Sequence, residues 1–175
     1  MFSEHNDYDN PYYNLDQMPL YQKAQEIADL VRDICALIDE NNAILESVKG
    51  QIMDDARILV VKIAGAEGGE LYDIRMECAT LIRKSAMNLY VSIHTLKMHG
   101  FEHTEYYLMV RKKIREFRTL FVEWVAGFDK TNYIADRWGL FNPPGVPVPD
   151  EDEDENDDNL LNGNGFEFWD EDDDE

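Results

Sequence analysis

Apolar residues recur at helical spacing along most of the chain. In the first segment they follow one another at steps of four or three residues, at Leu20, Ala24, Ile27, Val31, Ile34 and Ile38. This spacing places them on one face of an α-helix. Pro19 suits the first helical position, where an N–H would have no partner within the helix. Because Asp39 to Asn42 interrupt the pattern, the sequence predicts a first helix over about 19–40.

Three further segments show the same periodicity and are predicted as helices over about 44–66, 71–98 and 104–128. Gly100 stands where a left-handed residue commonly ends a helix. The last segment has the most regular pattern, at Tyr107, Val110, Ile114, Phe117, Phe121, Trp124 and Phe128. No alternating strand pattern competes over 19–128. Long helices with short connections predict an all-α fold, an antiparallel up-down four-helix bundle.

The glycine-rich stretch GAEGG at 65–69 separates the second and third helical patterns. A phosphate-binding P-loop would need a preceding strand and a Lys-Ser or Lys-Thr pair after the glycines. Here a helical pattern precedes the glycines, and Glu70, which would repel phosphate, follows them. We therefore interpret the stretch as a hinge, with Gly68 or Gly69 closing the second helix in the left-handed conformation.

The net charge of −21 is concentrated in the two ends of the chain. Residues 150–175 contain 15 acidic residues and no Lys or Arg, and residues 1–18 contain four acidic residues. The remaining 37 − 15 − 4 = 18 acidic residues face all 16 basic ones, a net charge of −2 over 19–149. The sequence thus predicts an acidic, aromatic extension (1–18), the bundle (19–128), a proline-rich strap whose aromatics dock on it (129–149) and a disordered acidic tail (150–175).

The chain is predicted to be cytoplasmic. It has no apolar run of about 20 residues, the length that crosses a bilayer, and its N-terminus lacks the basic-then-apolar order of a secretion signal. Its two cysteines, Cys35 and Cys78, lie within apolar helical patterns. We expect them to be buried thiols in a reducing compartment.

Four stretches resemble a family of bacterial four-helix-bundle proteins: LYQKAQEIADLVRDI, GQIMDDARILVVKIAGAEGG, LYDIRMECATLIRKSAMNLY and VRKKIREFRTLFVEWV. That family includes the ribosomal RNA intervening-sequence proteins and the accessory variability proteins of diversity-generating retroelements. The stretches KIAGAEGGELYDIRME, FRTLFVEWVAGFDKTN and DRWGLF are similar to a branch from Bacteroidetes-type bacteria. The resemblance covers about residues 19–128 and implies a bundle that assembles as a homopentameric barrel. In the retroelement proteins the barrel is basic and binds nucleic acid and a reverse transcriptase, whereas this bundle is nearly neutral.

The residue patterns indicate no catalytic, cofactor or metal site. A carboxylate-bridged di-metal bundle needs Glu-x-x-His on two helices, and no histidine here has Glu three positions before it. His99 and His103 have a zinc-like spacing, but Gly100 between them is expected to end the helix. No serine or cysteine lies in the context of a nucleophile elbow. We therefore expect a protein that is not an enzyme.

The strongest candidate site is a group of five bases on the fourth helix, which we call the basic stripe: Arg111, Lys112, Lys113, Arg115 and Arg118. It could neutralise phosphates, and a ring of copies would multiply its field. Alternatively, these bases pair with acids of a neighbouring helix or subunit, such as those at 67, 70, 73 and 77. The nearby aromatics, Phe117, Phe121 and Trp124, are interpreted as core or subunit contact, with base stacking as the alternative.

Three hypotheses remain for the acidic tail. It keeps the assembly soluble, it folds back over the basic stripe and competes with nucleic acid, or Phe166, Phe168 and Trp169 form a docking motif for a basic, grooved partner. The sequence as a whole predicts a non-enzymatic homo-oligomeric adaptor. It would serve either as an accessory factor of an RNA, DNA or reverse-transcriptase complex or as a purely structural protein-interaction module.

Overall fold

The computed structural model describes residues 15–149, and these form a four-helix bundle. The helices are α1 (Pro19–Cys35), α2 (Ala43–Gly69), α3 (Tyr72–Met98) and α4 (Thr104–Ala126), and no strand occurs among the described residues. Each helix packs against the next along the chain, and α1 also packs against α4. Short connections between neighbouring helices make the arrangement antiparallel and up-down. The predicted fold is thereby confirmed, while the N-terminal extension up to residue 14 and the acidic tail from 150 lie outside the described residues.

The bundle interior is apolar, as the periodicity predicts. Ile27, Ile52, Leu59, Ile82 and Leu89 are each no more than 1% exposed. Burying such side chains contributes about 1.5–3 kcal/mol each. Ser85 is the one buried polar residue in the described part of the chain.

Tyr107 connects α4 to α3 within this core. Its hydroxyl donates a hydrogen bond to the carbonyl oxygen of Leu89 at 3.1 Å. Burial raises the pKa of Tyr107 above its usual range, because the interior disfavours a phenolate.

The helix ends confirm one predicted left-handed residue and correct another. At the end of α3, Gly100 has φ +84°, and the N–H of Phe101 bonds to the carbonyl of Leu96 at 3.0 Å. Phe101 is itself buried, as is common in such Schellman ends. In contrast, α2 continues through both Gly68 and Gly69, and the left-handed residue is Glu70, with φ 52°. The hinge is therefore shorter than predicted.

Polar contacts hold this hinge, and the side-chain amide of Asn132 donates a hydrogen bond to the carbonyl of Glu70 itself at 3.3 Å. The guanidinium of Arg75 donates to the carbonyl of Ala66 at 3.0 Å and to the carboxylate of Glu67 at 3.2 Å. The indole N–H of Trp124 donates to the same carboxylate at 2.8 Å. These bonds connect α2, α3 and α4 at one end of the bundle, and they fix the chain reversal.

Two predicted boundaries shift inward. The first helix ends at Cys35 rather than near 40, although Ile38 in the following turn is still buried. The fourth ends at Ala126, and Phe128 packs beyond it on Tyr72 and Ala79. In both places apolar spacing continues past the hydrogen-bonded helix, because a turn can present a side chain to the same core.

The strap, residues 129–149, contacts the bundle through polar groups. Not all of its aromatic side chains dock on the bundle. The carbonyl of Asn132 accepts from the N–H of Tyr72 at 2.7 Å, and the carboxylate of Asp73 accepts from the N–H of Ile134 at 3.0 Å. The prediction that the aromatics dock is wrong for Trp138, which is 84% exposed. Leu140 is exposed as well.

A tight turn at Asp136 explains that exposure. Its carboxylate accepts from the backbone N–H groups of Trp138, Leu140 and Phe141 at 2.8–3.0 Å. These hydrogen bonds lower the pKa of Asp136. The local network fixes the backbone and directs Trp138 outward.

Among residues 15–149, no helix combines the length and the apolar character that a membrane-spanning segment needs.

Candidate functional site: the groove between α3 and α4

The five bases of the predicted stripe lie on two different sides of α4. Lys113 faces α1, where its ammonium lies 2.6 Å from the carboxylate of Glu26. Arg115 faces α3 and donates to the hydroxyl of Tyr90 at 3.2 Å. The bases at 111 and 118 also lie on the α3 side, while Lys112 is exposed. The structure therefore divides the stripe into a paired part and a part open to a partner.

On the α1 side, the positive charge is neutralised within the bundle. Lys23 lies 2.7 Å from Glu26 and 3.1 Å from Glu116, so two lysines from different helices share one carboxylate. Hydrogen bonds from Lys113 and then Lys23 lower the pKa of Glu26 to about 2. The acids proposed as partners from the sequence, at 67, 70, 73 and 77, form no ion pair with the stripe. Of these, Glu67 pairs with Arg75.

On the α3 side, a groove of about 630 Å³ runs between α3 and α4. Its floor is apolar, formed by Ala86, Met87, Ile114, Phe117, Phe121 and Val122. Its rim carries Arg83 from α3 and Arg115 and Arg118 from α4. None of these three arginines forms an ion pair with a carboxylate of the described residues. We call this site the arginine groove.

Tyr90 organises one end of the arginine groove. The guanidinium carbons of Arg111 and Arg115 lie 4.2 and 5.7 Å from the centroid of its ring, positions suited to cation–π attraction. The Nε of Arg111 is buried without a hydrogen-bond partner among the described residues. Hydrogen bonds from Arg115 and then Arg111 lower the pKa of Tyr90. The ring thus places two positive charges on the α3 side of α4.

The aromatic residues of α4 belong mainly to the core, as the sequence indicated. Phe117 is 1% exposed, and its ring stacks on that of Phe121 with centroids 5.9 Å apart. Trp124 continues the row, 5.8 Å from Phe121 and 4.7 Å from Phe128. The rings of Phe121 and Phe128 thus pack against that of Trp124, and its N–H donates to Glu67. Phe117 and Phe121 form part of the groove floor.

A second groove, between α1 and α2, provides an internal comparison. Its volume is about 510 Å³, and Met53, Ala56 and Val60 contribute apolar surface to it. Arg32 and Arg57 line this groove too, but each is paired with an aspartate of its own helix. The distances are 2.8 Å from Arg32 to Asp29 and 3.4 Å from Arg57 to Asp54.

The described residues show no grouping suited to holding a metal ion. No cluster of three or more His, Cys, Asp or Glu side chains occurs among them. Cys35 and Cys78 are buried free thiols, as predicted. Burial raises the pKa of Cys35 to about 11 and also raises that of Cys78, which disfavours their reactive thiolate forms.

Sequence reasoning missed the contribution of α3 to the arginine groove. Arg83, Met87 and Tyr90 follow one another at steps of four and three residues, a signal that they share a helix face. That face lies beside the buried seam, and only the packing of α3 on α4 shows that it meets Arg115. The tail residues Phe166, Phe168 and Trp169 lie outside the described part of the chain.

Comparison of the chain with protein-family models, with curated proteins and with solved structures found no match. The resemblance to the bacterial four-helix-bundle family therefore stays a prediction from sequence.

Proposed function

We propose that this chain is a non-enzymatic, homo-oligomeric adaptor that binds an acidic, aromatic-containing protein segment in the arginine groove. The observation that supports this function is the juxtaposition of an apolar floor and three arginines that have no carboxylate partner within residues 15–149. Guanidinium groups bind carboxylates through paired, charge-assisted hydrogen bonds. The floor offers a surface on which aromatic side chains of the same segment can be buried.

The size of the groove suits a peptide segment rather than a large folded surface. Its volume of about 630 Å³ is within the range of small-ligand pockets, and it accommodates a few side chains. An amphipathic segment with alternating acids and aromatics would place its carboxylates at the rim and its rings on the floor. Such a segment matches both chemistries of the groove at once.

Self-association is the second part of the proposal. Apolar side chains of α3 and α4 outside the arginine groove are also about half exposed, including Val91 (48%), Leu108 (53%) and Met109 (50%). Exposed apolar patches are typical of interaction sites. Assembly into a homo-oligomer would cover part of this surface, and the family resemblance implies that this oligomer is a pentamer. Light scattering coupled to size exclusion gives the subunit number directly.

A cytoplasmic location belongs to the same proposal.

A second candidate function is an accessory role in an RNA, DNA or reverse-transcriptase complex. Arg115 and Arg118 have no carboxylate partner in the described structure, so they would be available to phosphates. Against this role, Lys113 is neutralised by Glu26, and the ring of Phe117 in the floor is 1% exposed, so it offers little ring surface on which a base could stack. The half-exposed aliphatic side chains of Met87 and Val122 suit the side chains of a protein segment better than stacked bases.

Fluorescence anisotropy separates the two candidates. The probes are a labelled synthetic peptide in which glutamates alternate with phenylalanines and a labelled single-stranded RNA, each titrated into the full chain. We expect the peptide to bind, and Arg115→Gln with Arg118→Gln to weaken its binding by at least about 100-fold, since two lost charge-assisted contacts of about 1.5–3 kcal/mol each amount to about 3–6 kcal/mol. The matched control, Arg32→Gln with Arg57→Gln, removes equal charge from the other groove and should have little effect.

Two results would overturn the proposal. One is peptide binding that both double variants weaken equally. The other is RNA binding that depends on Arg115 and Arg118 and falls steeply with salt while the peptide does not bind, which would favour the accessory role.

A further inference from the structure

We propose that the acidic, aromatic C-terminal segment of this chain, residues 160–175, occupies the arginine groove of its own bundle and competes there with an external partner. This inference rests on the proposed function of the groove and adds its regulation. The tail would act as a tethered mimic of the segment that the groove recognises.

The composition of the segment complements the groove. Phe166, Phe168 and Trp169 provide three aromatic rings within four positions, interleaved with Glu167 and followed by six consecutive acidic residues, 170–175. The rim offers three guanidinium groups without a carboxylate partner among the described residues, and the floor beneath them is apolar. In this arrangement the carboxylates of the segment lie next to the guanidinium groups of the rim, and its aromatic rings lie on the apolar floor.

The α1–α2 groove is a poorer match for the segment. It also has apolar residues and two arginines, but Asp29 and Asp54 already pair with Arg32 and Arg57. Asp29 itself lines that groove and would repel a polyanionic segment. Of these two grooves, charge complementarity therefore favours the arginine groove.

The length of the chain permits this contact. The structure describes the strap up to Pro149, and Phe166 follows 166 − 149 = 17 residues later. Such a linker spans at most about 55–60 Å when extended. The longest helices of the bundle, α2 and α3, have 27 residues each and are therefore about 40 Å long. Since the extended linker exceeds the length of the bundle, the segment can reach the groove from either end of it.

Tethering makes even a weak contact effective. A short flexible linker holds its end at an effective concentration of about 1 mM near its target. If the free segment bound with a dissociation constant of about 0.1 mM, the tether would weaken an external competitor about tenfold. The expected effect is a graded reduction in partner affinity, which a stronger or more concentrated partner overcomes.

Photocrosslinking in the full chain tests where the segment lies. Phe168→p-benzoylphenylalanine places a group that reacts readily with methionine next to the proposed floor, where Met87 is half exposed. We expect a crosslink to Met87 within a single chain, identified by mass spectrometry and by migration at monomer mass. The triple variant Arg83→Gln, Arg115→Gln and Arg118→Gln should abolish it. The control Arg32→Gln with Arg57→Gln should retain it.

Three outcomes would overturn the inference: no crosslink, a crosslink to Met53 in the other groove, or a crosslink to Met87 of a second copy at dimer mass. A competition measurement keeps this inference distinct from the proposed function. Phe166→Ala, Phe168→Ala and Trp169→Ala should together raise the affinity of the full chain for the glutamate–phenylalanine peptide about tenfold. Groove-dependent peptide binding without the crosslink would leave the proposed function standing and remove this inference. The crosslink without peptide binding, in the full chain and in the triple alanine variant alike, would remove the proposed function and the competition, and would leave only the position of the segment in the groove.

Discussion

The α1–α2 and α3–α4 grooves of this bundle both combine apolar side chains with arginines, and they differ in how those arginines are paired. Between α1 and α2, Arg32 and Arg57 each lie within 3.4 Å of an aspartate on the same helix. Between α3 and α4, Arg115 and Arg118 have no such partner, and one of them donates to Tyr90 instead. Both grooves hold cations above an apolar floor, but only the second leaves those cations available to an incoming anion.

This difference shows that local pairing, rather than the number of basic residues, determines where a nearly neutral bundle can bind an anion. An aspartate three residues before an arginine lies on the same helix face and neutralises it. On α4 the residues three before Arg115 and Arg118 are Lys112 and Arg115 itself, so the charges reinforce one another. The arginine groove is therefore positive although the surrounding residues 19–149 carry a net charge of −2.

The largest expected effect comes from removing the floor beneath the arginine groove. Phe117→Ala deletes a ring that is 1% exposed and that packs on Phe121. We expect the free energy of unfolding to fall by about 3–5 kcal/mol, the usual cost of a phenylalanine cavity. Urea unfolding followed by circular dichroism measures it. A loss below about 1 kcal/mol would show that the floor is not part of the core.

A smaller effect is expected at the paired seam between α1 and α4. The pKa of Glu26 is lowered from 4.5 to about 2, so its contribution to stability is present above about pH 4.5 and is lost as the pH falls toward 2. Because the side chain is 46% exposed, we expect Glu26→Gln to cost no more than about 1 kcal/mol at pH 7. The variant should also flatten the fall in stability between pH 4.5 and 2.

Thermal or urea unfolding at several pH values measures the pH dependence of stability that Glu26 contributes. Glu105→Gln is the control, because Glu105 is not paired with Lys23 or Lys113. Equal pH profiles for Glu26→Gln and the unmodified chain would contradict the shared-carboxylate arrangement.

The smallest expected effect is a change in the free energy of unfolding when one arginine of each groove is replaced. Arg32→Gln removes an ion pair to Asp29 at 2.8 Å and should lower the free energy of unfolding by about 0.3–0.5 kcal/mol. Arg118→Gln removes an unpaired charge next to Arg115 and should leave stability unchanged or raise it slightly. Replicate urea titrations at low salt resolve the two. If Arg118→Gln were the more destabilising, that arginine would have a structural partner.

Much of the fold follows from sequence, because each helix carries a continuous apolar seam and each turn carries a recognisable signal. Gly100 illustrates this, since a left-handed end was predicted there and the structure has one. Glu70 shows the limit. Local preference favours Gly69 over Glu70 as the left-handed residue. The structure places that conformation at Glu70, where contacts from Arg75 and Trp124 hold the hinge.

The candidate site was predictable only in part for a similar reason. The bases of α4 are visible in the sequence, but their division between Glu26 and Tyr90 depends on how α4 is rotated against its neighbours. Helix rotation is set by packing of all four seams together. Arg83, on a different helix, joins the site only through that packing.

The most direct test of the central claim, that an acidic segment binds specifically between α3 and α4, is the methionine methyl spectrum of the full chain during titration with the glutamate–phenylalanine peptide. Met87 lines the arginine groove and Met53 lines the α1–α2 groove, so each reports on one site. We expect the resonance of Met87 to shift with saturation while that of Met53 stays in place, and Arg115→Gln with Arg118→Gln to remove the shift. Movement of Met53 in place of Met87, or peptide binding that moves neither, would contradict the account.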